Sequence, residues 1–191
     1  MEQIAPELIK HIDALMATGK QVLIAVDGYC TAGKTTLAAA LQKKYDCNVF
    51  HMDDFFLRPE QRTSERYAEP GGNVDYERFL EDVLIPLKKG EPFSYRPFSC
   101  KTFTLSDSVT VRPKRLNIIE GTYSLHPYFG DVYDFKVFLS VEPQLQAQRI
   151  RLRPEHVHRR FFDEWIPMEK QYAAYFKIPE TCDLCLNISG F

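Results

Sequence analysis

One stretch of the chain carries the clearest chemistry. Residues 28–35 fit the pattern G-x-x-x-x-G-K-[ST] at every specified position. Glycines let the backbone curl so that successive N–H groups face one phosphate. The lysine supplies positive charge to the β- and γ-phosphates, and the last threonine can ligate Mg²⁺. A helix following the loop would add its N-terminal partial charge. We therefore predict that ATP or another nucleoside triphosphate, with Mg²⁺, binds at Gly28, Tyr29, Cys30, Thr31, Ala32, Gly33, Lys34, Thr35 and Thr36.

Two acidic residues, Asp53 and Asp54, follow an apolar run that ends at Met52. If this run is a strand of an open α/β sheet, its carboxyl end lies where ligands bind. A carboxylate there could accept the proton of an acceptor hydroxyl during phosphoryl transfer. We assign this role to Asp53 rather than Asp54. The alternative is that both acids cap the following segment or lie in solvent.

Another acid, Glu120, follows the apolar run 116–119. An acid at the end of such a strand commonly holds Mg²⁺ directly or through water, although aspartate is the more usual residue. We therefore predict that Thr35 and Glu120 bind the metal. A solvated loop acid is the alternative for Glu120.

Arginines cluster late in the chain, between Arg149 and Arg160. The whole chain has a net charge of −2 and a pI of about 6.2, so no basic surface extends beyond this cluster. Nucleic-acid binding is therefore the weaker interpretation. We predict a lid at about 149–162 that closes over the phosphates, with Arg149 and Arg153 stabilising transition-state charge. A solvated helix face is the alternative.

Apolar patterns predict the elements that would position these groups. Short continuous apolar runs indicate strands, and apolar residues at helical spacing indicate helices. The predicted strands are 22–26, 48–52, 116–119, 135–139 and 184–188, and the predicted helices are 5–17, 35–44, 75–87, 144–151 and 165–176. Strands alternating with helices predict an α/β fold with a mainly parallel central sheet flanked by helices. The glycine-rich loop after the first strand makes the P-loop NTPase fold the expected type.

The segment from about 93 to 112 has a different pattern. Phe103, Leu105, Val109 and Val111 alternate with polar residues around 106–108, which predicts a β-hairpin that turns there. At roughly 100–200 residues per domain, we expect one domain over 1–191, with this small β-hairpin insertion and the arginine-rich lid.

Composition excludes several classes of protein. Hydrophobic residues make up 45% and charged residues 26% of the chain, which is typical of globular proteins rather than disordered ones. No apolar run approaches the roughly 18 residues needed to cross a bilayer, and an odd, irregular set of five cysteines indicates a reducing compartment. We expect a cytoplasmic protein without a membrane or nucleic-acid partner, and a homo-oligomer is compatible with the sequence. For Cys182 and Cys185, a lone C-x-x-C pair, we expect part-buried thiols rather than a zinc site.

Taken together, these motifs resemble the uridine/cytidine kinase-like P-loop nucleoside kinases, which are relatives of phosphoribulokinase. The resemblance extends from about Val22 to Ile188. Besides the loop and the arginine-rich segment, the motifs that carry it are 51–56 (HMDDFF), 72–75 (GNVD), 95–97 (YRP), 119–121 (IEG) and 182–184 (CDL).

The resemblance implies a role for several residues. Asp53 matches the family's catalytic carboxylate near the acceptor 5′-hydroxyl, and Glu120 matches its magnesium-associated acid. Asp75 matches an acid that hydrogen-bonds the ribose hydroxyls. The implied substrate-binding set is Asp53, Phe56, Asp75, Tyr95 and Arg96, and the implied catalytic set is Asp53, Lys34, Arg149 and Arg153.

Two departures from the family concern the acceptor and the lid. Cys100 occupies the position of the family's pyrimidine-contacting histidine, and a thiol is a weak hydrogen-bonding group. The lid reads Leu-Arg-Pro-Glu at 152–155 rather than the family's Arg-Asp-rich pattern. We predict an ATP- and Mg²⁺-dependent kinase acting on a small-molecule hydroxyl, with a nucleoside 5′-hydroxyl favoured. The alternatives are nicotinamide riboside, pantothenate or another hydroxylated metabolite as acceptor, a regulatory NTPase, or a nucleotide-binding module without catalysis.

Overall fold

A computed structural model of the chain describes residues 6–188. Its centre is a five-stranded sheet in the order β2-β7-β1-β8-β9, in which every neighbouring pair is parallel. The strands formed by the described residues are β1 (Val22–Gly28), β2 (Cys47–His51), β3 (Phe93–Tyr95), β4 (Phe98–Ser99), β5 (Thr104–Leu105), β6 (Val109–Val111), β7 (Leu116–Glu120), β8 (Phe135–Ser140) and β9 (Leu184–Asn187). The predicted mainly parallel α/β sheet is confirmed.

The middle strand, β1, is buried along its whole length. Leu23 and Ala25 face one apolar layer, and Val22, Ile24 and Val26 face the other, so successive side chains stabilise opposite faces of the sheet. A strand covered on both faces has to be apolar at every position, which explains the continuous run in the sequence.

Helices cover both faces of the sheet. They are α1 (Pro6–Ala17), α2 (Lys34–Lys44), α3 (Ser64–Ala68), α4 (Tyr76–Phe79), α5 (Ile85–Lys89), α6 (Pro143–Arg151), α7 (Glu155–Arg160) and α8 (Ile166–Tyr175). A π-helical stretch, Leu80–Leu84, joins α4 to α5, and another, Phe161–Trp165, joins α7 to α8. Ala5, the predicted first residue of the first helix, lies outside the described residues. The sequence did not predict α3 or α7, both of which are short and largely solvent-facing.

The insertion is a hairpin, but its predicted turn was wrong. β3 pairs with β6 and β4 pairs with β5, both antiparallel, so the two arms meet at a turn over 100–103 rather than 106–108. Pro97 has no N–H for the ladder, and its carbonyl instead accepts a hydrogen bond from the Ser106 N–H at 2.7 Å. The polar residues 106–108 therefore interrupt one arm instead of reversing the chain.

The carboxyl ends of β1, β2 and β7 lie side by side. Val26 pairs with Glu120 across β1 and β7, and His51 pairs with Glu120 across β2 and β7. This edge is closely packed at Gly28, where an added Cβ would lie 2.1 Å from the Leu139 carbonyl oxygen. The segments that follow β1, β2 and β7 therefore all begin at the same edge of the sheet. Within residues 6–188, no helix is both long and apolar enough to cross a membrane.

Candidate active site

The loop between β1 and α2 curls around its own lysine. Gly28 and Gly33 adopt positive φ angles, and so does Thr31 at +61°. The Lys34 ammonium donates hydrogen bonds to the carbonyl oxygens of Gly28 and Tyr29 at 2.8 and 2.9 Å, and to Thr122 Oγ1 at 3.0 Å. The loop thus places a buried positive charge at the N-terminus of α2, an arrangement suited to binding phosphate groups.

Thr35 and Glu120 lie together, although they are far apart in the chain. Thr35 Oγ1 donates to Glu120 Oε1 at 3.1 Å, and the Glu120 side chain is buried. A hydroxyl beside a carboxylate at a phosphate-binding loop fits Mg²⁺, which prefers oxygen ligands and retains several waters. The two residues predicted to bind the metal are therefore brought together.

His51 is part of this site and was not assigned a role from the sequence. Its Nδ1 lies 2.5 Å from Glu120 Oε1, and the hydrogen bond to Glu120 is the largest influence that raises the pKa of His51. The two residues are opposite each other on the adjacent strands β2 and β7. Finding the contact from sequence would have required predicting that these two strands pair. Strand order was the missing information.

Asp53 lies in the turn Met52–Phe55 that follows β2, and its side chain is exposed. Protein atoms around it remove part of its hydration, and this desolvation is the main cause of its raised pKa. The nearby charge of Glu120 also raises the pKa, whereas Lys34, His51 and Arg153 lower it. A carboxylate with a raised pKa is a stronger proton acceptor than an ordinary aspartate.

Two buried acids that the sequence did not single out hold the loop in place. Asp27 accepts hydrogen bonds from the N–H groups of Gly28, Tyr123 and Leu125 at 2.6, 3.2 and 3.0 Å, and from the Tyr172 hydroxyl at 2.9 Å. It therefore ties the end of β1 to the turn that follows Glu120. A buried carboxylate is recognisable in sequence only as an acid within an apolar run, and Asp27 is such a residue.

The second buried acid, Glu169, approaches the loop from α8. Its Oε2 accepts the Cys30 N–H at 2.7 Å, and its Oε1 accepts Gln146 Nε2 at 3.0 Å. Gln146 on α6 also donates to the Cys30 carbonyl oxygen at 3.2 Å. Burial is the main cause of the raised pKa of Glu169. Helices α6 and α8 thereby fix the outer side of the loop.

The two lid arginines lie at different parts of the site. Arg149 donates from Nη1 to the Thr31 carbonyl oxygen at 2.8 Å, so it contacts the phosphate-binding loop directly. Arg153 is exposed, lies over the Phe161 ring at 5.2 Å, and is close enough to lower the pKa of Asp53. The segment predicted as a lid comprises the end of α6, all of α7 and the start of the following π-helical stretch.

The residues predicted to bind the acceptor are less open than Asp53. Asp75 is buried and caps α4 by accepting the Arg78 N–H at 3.2 Å. Its Oδ2 lies 3.4 Å from Arg78 Nε and 3.7 Å from Arg58 Nε, yet it accepts no hydrogen bond from any residue between 6 and 188. Phe56 is half-buried and forms an isolated bridge with Val74. The Asp75 prediction thus has a structural alternative, helix capping.

Tyr95 and Arg96 belong to the insertion. Tyr95 is buried in an aromatic cluster, 5.5 Å from Phe55 and 6.2 Å from Phe50 between ring centroids. Desolvation raises the pKa of Tyr95 to about 12. The Arg96 guanidinium donates to the carbonyl oxygens of Leu105 and Ser106, so it holds the two arms of the hairpin together. These contacts favour structural roles for both residues.

Sheet order, loop and strand-end acids together define a P-loop NTPase fold. A solved structure described as a possible uridine kinase from Bacillus stearothermophilus superposes with a TM-score of 0.66 at 21% identity, covering 94% of this chain and 99% of that one. The structure of the YGR205w protein gives a TM-score of 0.64 at 14% identity, covering 95% and 91%. Both likenesses concern the fold.

Sequence relatives define the family. A Schizosaccharomyces pombe protein provisionally named uridine kinase C227.14 is 30% identical over 173 residues, which are 78% of this chain and 70% of that protein. The uridine kinase of Shewanella frigidimarina is 28% identical over 132 residues, which are 62% of this chain and 61% of the relative's length. No family model matches the chain. The chain belongs to the uridine kinase-like family of P-loop kinases.

Proposed function

We propose that the protein is a kinase that uses ATP and Mg²⁺ to phosphorylate a hydroxyl group of a small molecule, with a nucleoside 5′-hydroxyl as the favoured acceptor. One observation carries the proposal: the phosphate-binding loop, the Thr35–Glu120 pair and the Asp53 carboxylate meet at the carboxyl ends of three adjacent strands. Relatives named uridine kinase support a nucleoside acceptor.

The loop and the lid would bind the triphosphate. Lys34 would exchange its hydrogen bonds with the Gly28 and Tyr29 carbonyls for phosphate oxygens, while the loop N–H groups and the α2 N-terminus face the same charge. The Thr31 hydroxyl lies in the same loop, and it is buried without a hydrogen-bond partner among the described residues. Arg149 and Arg153 would add positive charge as the lid closes, which stabilises the charge that spreads over the transferred group.

Thr35 and Glu120 would hold Mg²⁺, which supplies charge neutralisation between the phosphate groups when bound. His51 orients Glu120 from the neighbouring strand. Because Glu120 is buried and its partners come from α2 and β2, its carboxylate is fixed before any ligand arrives. Fixed charges of this kind lower the cost of reorganisation during transfer.

Asp53 would orient the acceptor hydroxyl and accept its proton. Its raised pKa makes the carboxylate a better base, and the nearby charges of Lys34, His51 and Arg153 favour its ionised form. Asp75 would hold a sugar hydroxyl only if Arg58 moved, since the acid is buried and its free oxygen faces the Arg58 and Arg78 guanidinium groups.

Coupled measurement of ADP release tests the proposal directly. We expect release to depend on an acceptor in a panel of nucleosides, nicotinamide riboside, pantothenate and related hydroxylated metabolites. Asp53→Asn should lower kcat by at least about a hundredfold, the usual contribution of a general base, with ATP affinity largely retained. Asp54→Asn is the matched control and should keep most of the turnover.

Two results would contradict the proposal. Vigorous ADP release without any acceptor would identify an NTPase instead of a kinase. Normal acceptor phosphorylation by Asp53→Asn would remove Asp53 from the base role, because an amide cannot accept the proton.

A further inference from the structure

Arg62 has no acidic partner within residues 6–188, although Arg58 and Arg66, which lie close to it in the chain, both pair with acids. Arg58 pairs with Glu60 and Asp75, and Arg66 pairs with Glu69 and Glu77. Over residues 6–188, no carboxylate lies within ion-pair distance of Arg62. Its side chain is nevertheless half-buried, where an unpaired charge is costly.

The position of Arg62 is fixed on two sides. Its Nε donates to the Leu57 carbonyl oxygen at 3.0 Å. Its guanidinium carbon lies 5.6 Å from the Phe98 ring centroid and 5.1 Å from the Phe103 ring centroid, both near the tip of the insertion. Cation–π contacts hold a guanidinium while leaving terminal N–H groups for a further partner, and Nη1 and Nη2 of Arg62 make no hydrogen bond to residues 6–188.

Arg62 lies where the insertion packs on the segment that carries Asp53. It binds the carbonyl oxygen of Leu57, four residues after Asp53, and β4 of the insertion contacts the turn Met52–Phe55. The charges of Arg62, Asp53 and Arg160 all influence the pKa of Cys100, which lies in the turn of the insertion. Burial is the main cause of the raised pKa of the Cys100 thiol, the two arginines act to lower this pKa, and Asp53 acts to raise it. Arg160 is already paired with Glu164, so Arg62 is the arginine of this group that lacks a counter-charge.

We propose that the acceptor carries an anionic group, a carboxylate or a phosphate monoester, and that Arg62 binds this group beside the tip of the insertion. The inference rests on the proposed kinase function and, among the candidate acceptors, favours the acidic metabolites over the neutral nucleoside. A neutral nucleoside would leave the half-buried guanidinium without a counter-charge. A carboxylate or phosphate would accept two parallel hydrogen bonds from the guanidinium fork.

Matched pairs of acceptors test the proposal in the ADP-release assay. The pairs are glycerol and D-glycerate, pantothenol and pantothenate, and ribose and ribose 5-phosphate, with uridine as the neutral nucleoside. The first two pairs report a carboxylate and the third a phosphate. We expect an acidic member to exceed its neutral partner by at least tenfold in kcat/KM. In Arg62→Gln its KM should rise about ten- to hundredfold with kcat nearly unchanged, which is the loss expected for one charged hydrogen-bonded contact.

Two further variants separate the effect of losing the Arg62 guanidinium from a general effect on the fold. Arg62→Lys keeps the charge but loses the fork, so an intermediate KM is expected. Arg112→Gln alters an exposed arginine after β6 and should leave every KM unchanged. Equal use of uridine by wild type and Arg62→Gln, with no preference for acidic acceptors, would overturn the proposal.

A binding measurement decides the proposal even if no acceptor is phosphorylated. With the phosphate-binding loop saturated by Mg²⁺ and a non-hydrolysable ATP analogue, inorganic phosphate and acetate are titrated while the thermal midpoint is followed. Stabilisation by either anion in wild type and Arg112→Gln, but not in Arg62→Gln, supports an anion site at Arg62. No stabilisation, or equal stabilisation in Arg62→Gln, overturns it. Absence of acceptor-dependent ADP release would by itself count only against the kinase function.

Discussion

The imidazole of His126 is packed among aromatic rings. Its centroid lies 4.1 Å from that of Tyr76 and 6.1 Å from that of Tyr172, both nearly parallel to it. Its Nδ1 accepts the Tyr128 N–H at 3.2 Å. Desolvation is the main reason that its pKa falls from 6.5 to about 4. The side chain is therefore neutral in the folded protein at pH values where an unfolded histidine is protonated.

This depressed pKa predicts a loss of stability in mild acid. Between pH 6.5 and about 4, the unfolded chain binds a proton at His126 and the folded chain does not. The free energy of unfolding should therefore decrease as pH falls through this window, by at most about 1.4 kcal/mol per pH unit from this one group. Urea denaturation at several pH values measures the slope.

The matched variant is His126→Phe, which keeps an aromatic ring but cannot titrate. Its slope between pH 6.5 and 4.5 should be shallower than that of wild type, and above pH 7.5 the two curves should run parallel. Asp27 and Glu169 have pKa values raised by burial, so they make the free energy of unfolding increase as pH falls. Both acids are present in wild type and in His126→Phe. Identical slopes over the whole range would contradict the assignment.

At the level of elements, helix α8 is connected to the phosphate-binding loop through Glu169. We expect Glu169→Ala to lower the free energy of unfolding by about 2–4 kcal/mol, because the Cys30 N–H and the Gln146 amide would both lose their buried acceptor. Urea denaturation measures the change. Glu169→Gln, which retains one acceptor oxygen, should lose less.

The control for this prediction is Glu164→Ala. Glu164 precedes α8 and pairs with Arg160 at the surface, so its removal should change stability by less than about 0.5 kcal/mol. Equal losses in Glu164→Ala and Glu169→Ala would show that the contact between α8 and the loop contributes nothing specific.

The central strands and the long helices could be predicted from sequence because local pattern decides them. β1 is apolar at nearly every position since both of its faces are covered. The loop before α2 needs glycines to curl, and these glycines mark where α2 begins. The turn of the insertion could not be predicted in this way. Its position depends on which arm residues pair across the hairpin, and the pairing of Ser99 with Thr104 leaves 100–103 as the turn.

The residues of the candidate site also fall into those that local pattern reveals and those that depend on distant contacts. The loop, Asp53 and Glu120 were visible because each follows a predicted strand. His51 and Glu169 were not visible, because their roles arise from strand order and from helix packing on the loop. Arg62 was hidden for a similar reason: its contacts with the Phe98 and Phe103 rings and its lack of a carboxylate partner within residues 6–188 depend on three-dimensional neighbours.

The whole molecule depends on pairings between distant parts of the chain. β1 pairs with β7 and β8. The edge strand β2 follows β1 in the chain, yet it pairs with β7 and not with β1. Parallel pairs of this kind form only after long intervening segments have been placed. We predict that a fragment comprising residues 1–112 has no cooperative unfolding transition in urea, because neither β1 nor β2 has a sheet partner among residues 6–112.

Far-UV circular dichroism during urea titration compares this fragment with the full chain. The full chain should unfold in one sigmoidal transition. A sigmoidal transition in the fragment, with a comparable midpoint, would show that the first half folds without β7.

The central place of β1 also bears on how the protein is made. Translation delivers β1 and the apolar face of α1 long before Leu116 and Phe135, the first residues of the strands that cover β1, leave the ribosome. During that interval the nascent chain exposes Leu23, Ile24 and Val26 without a neighbouring strand. Such segments are the ones that chaperones bind and that aggregate when synthesis outpaces folding. We therefore expect recombinant yield to depend on temperature and translation speed more than on the stability of the finished fold.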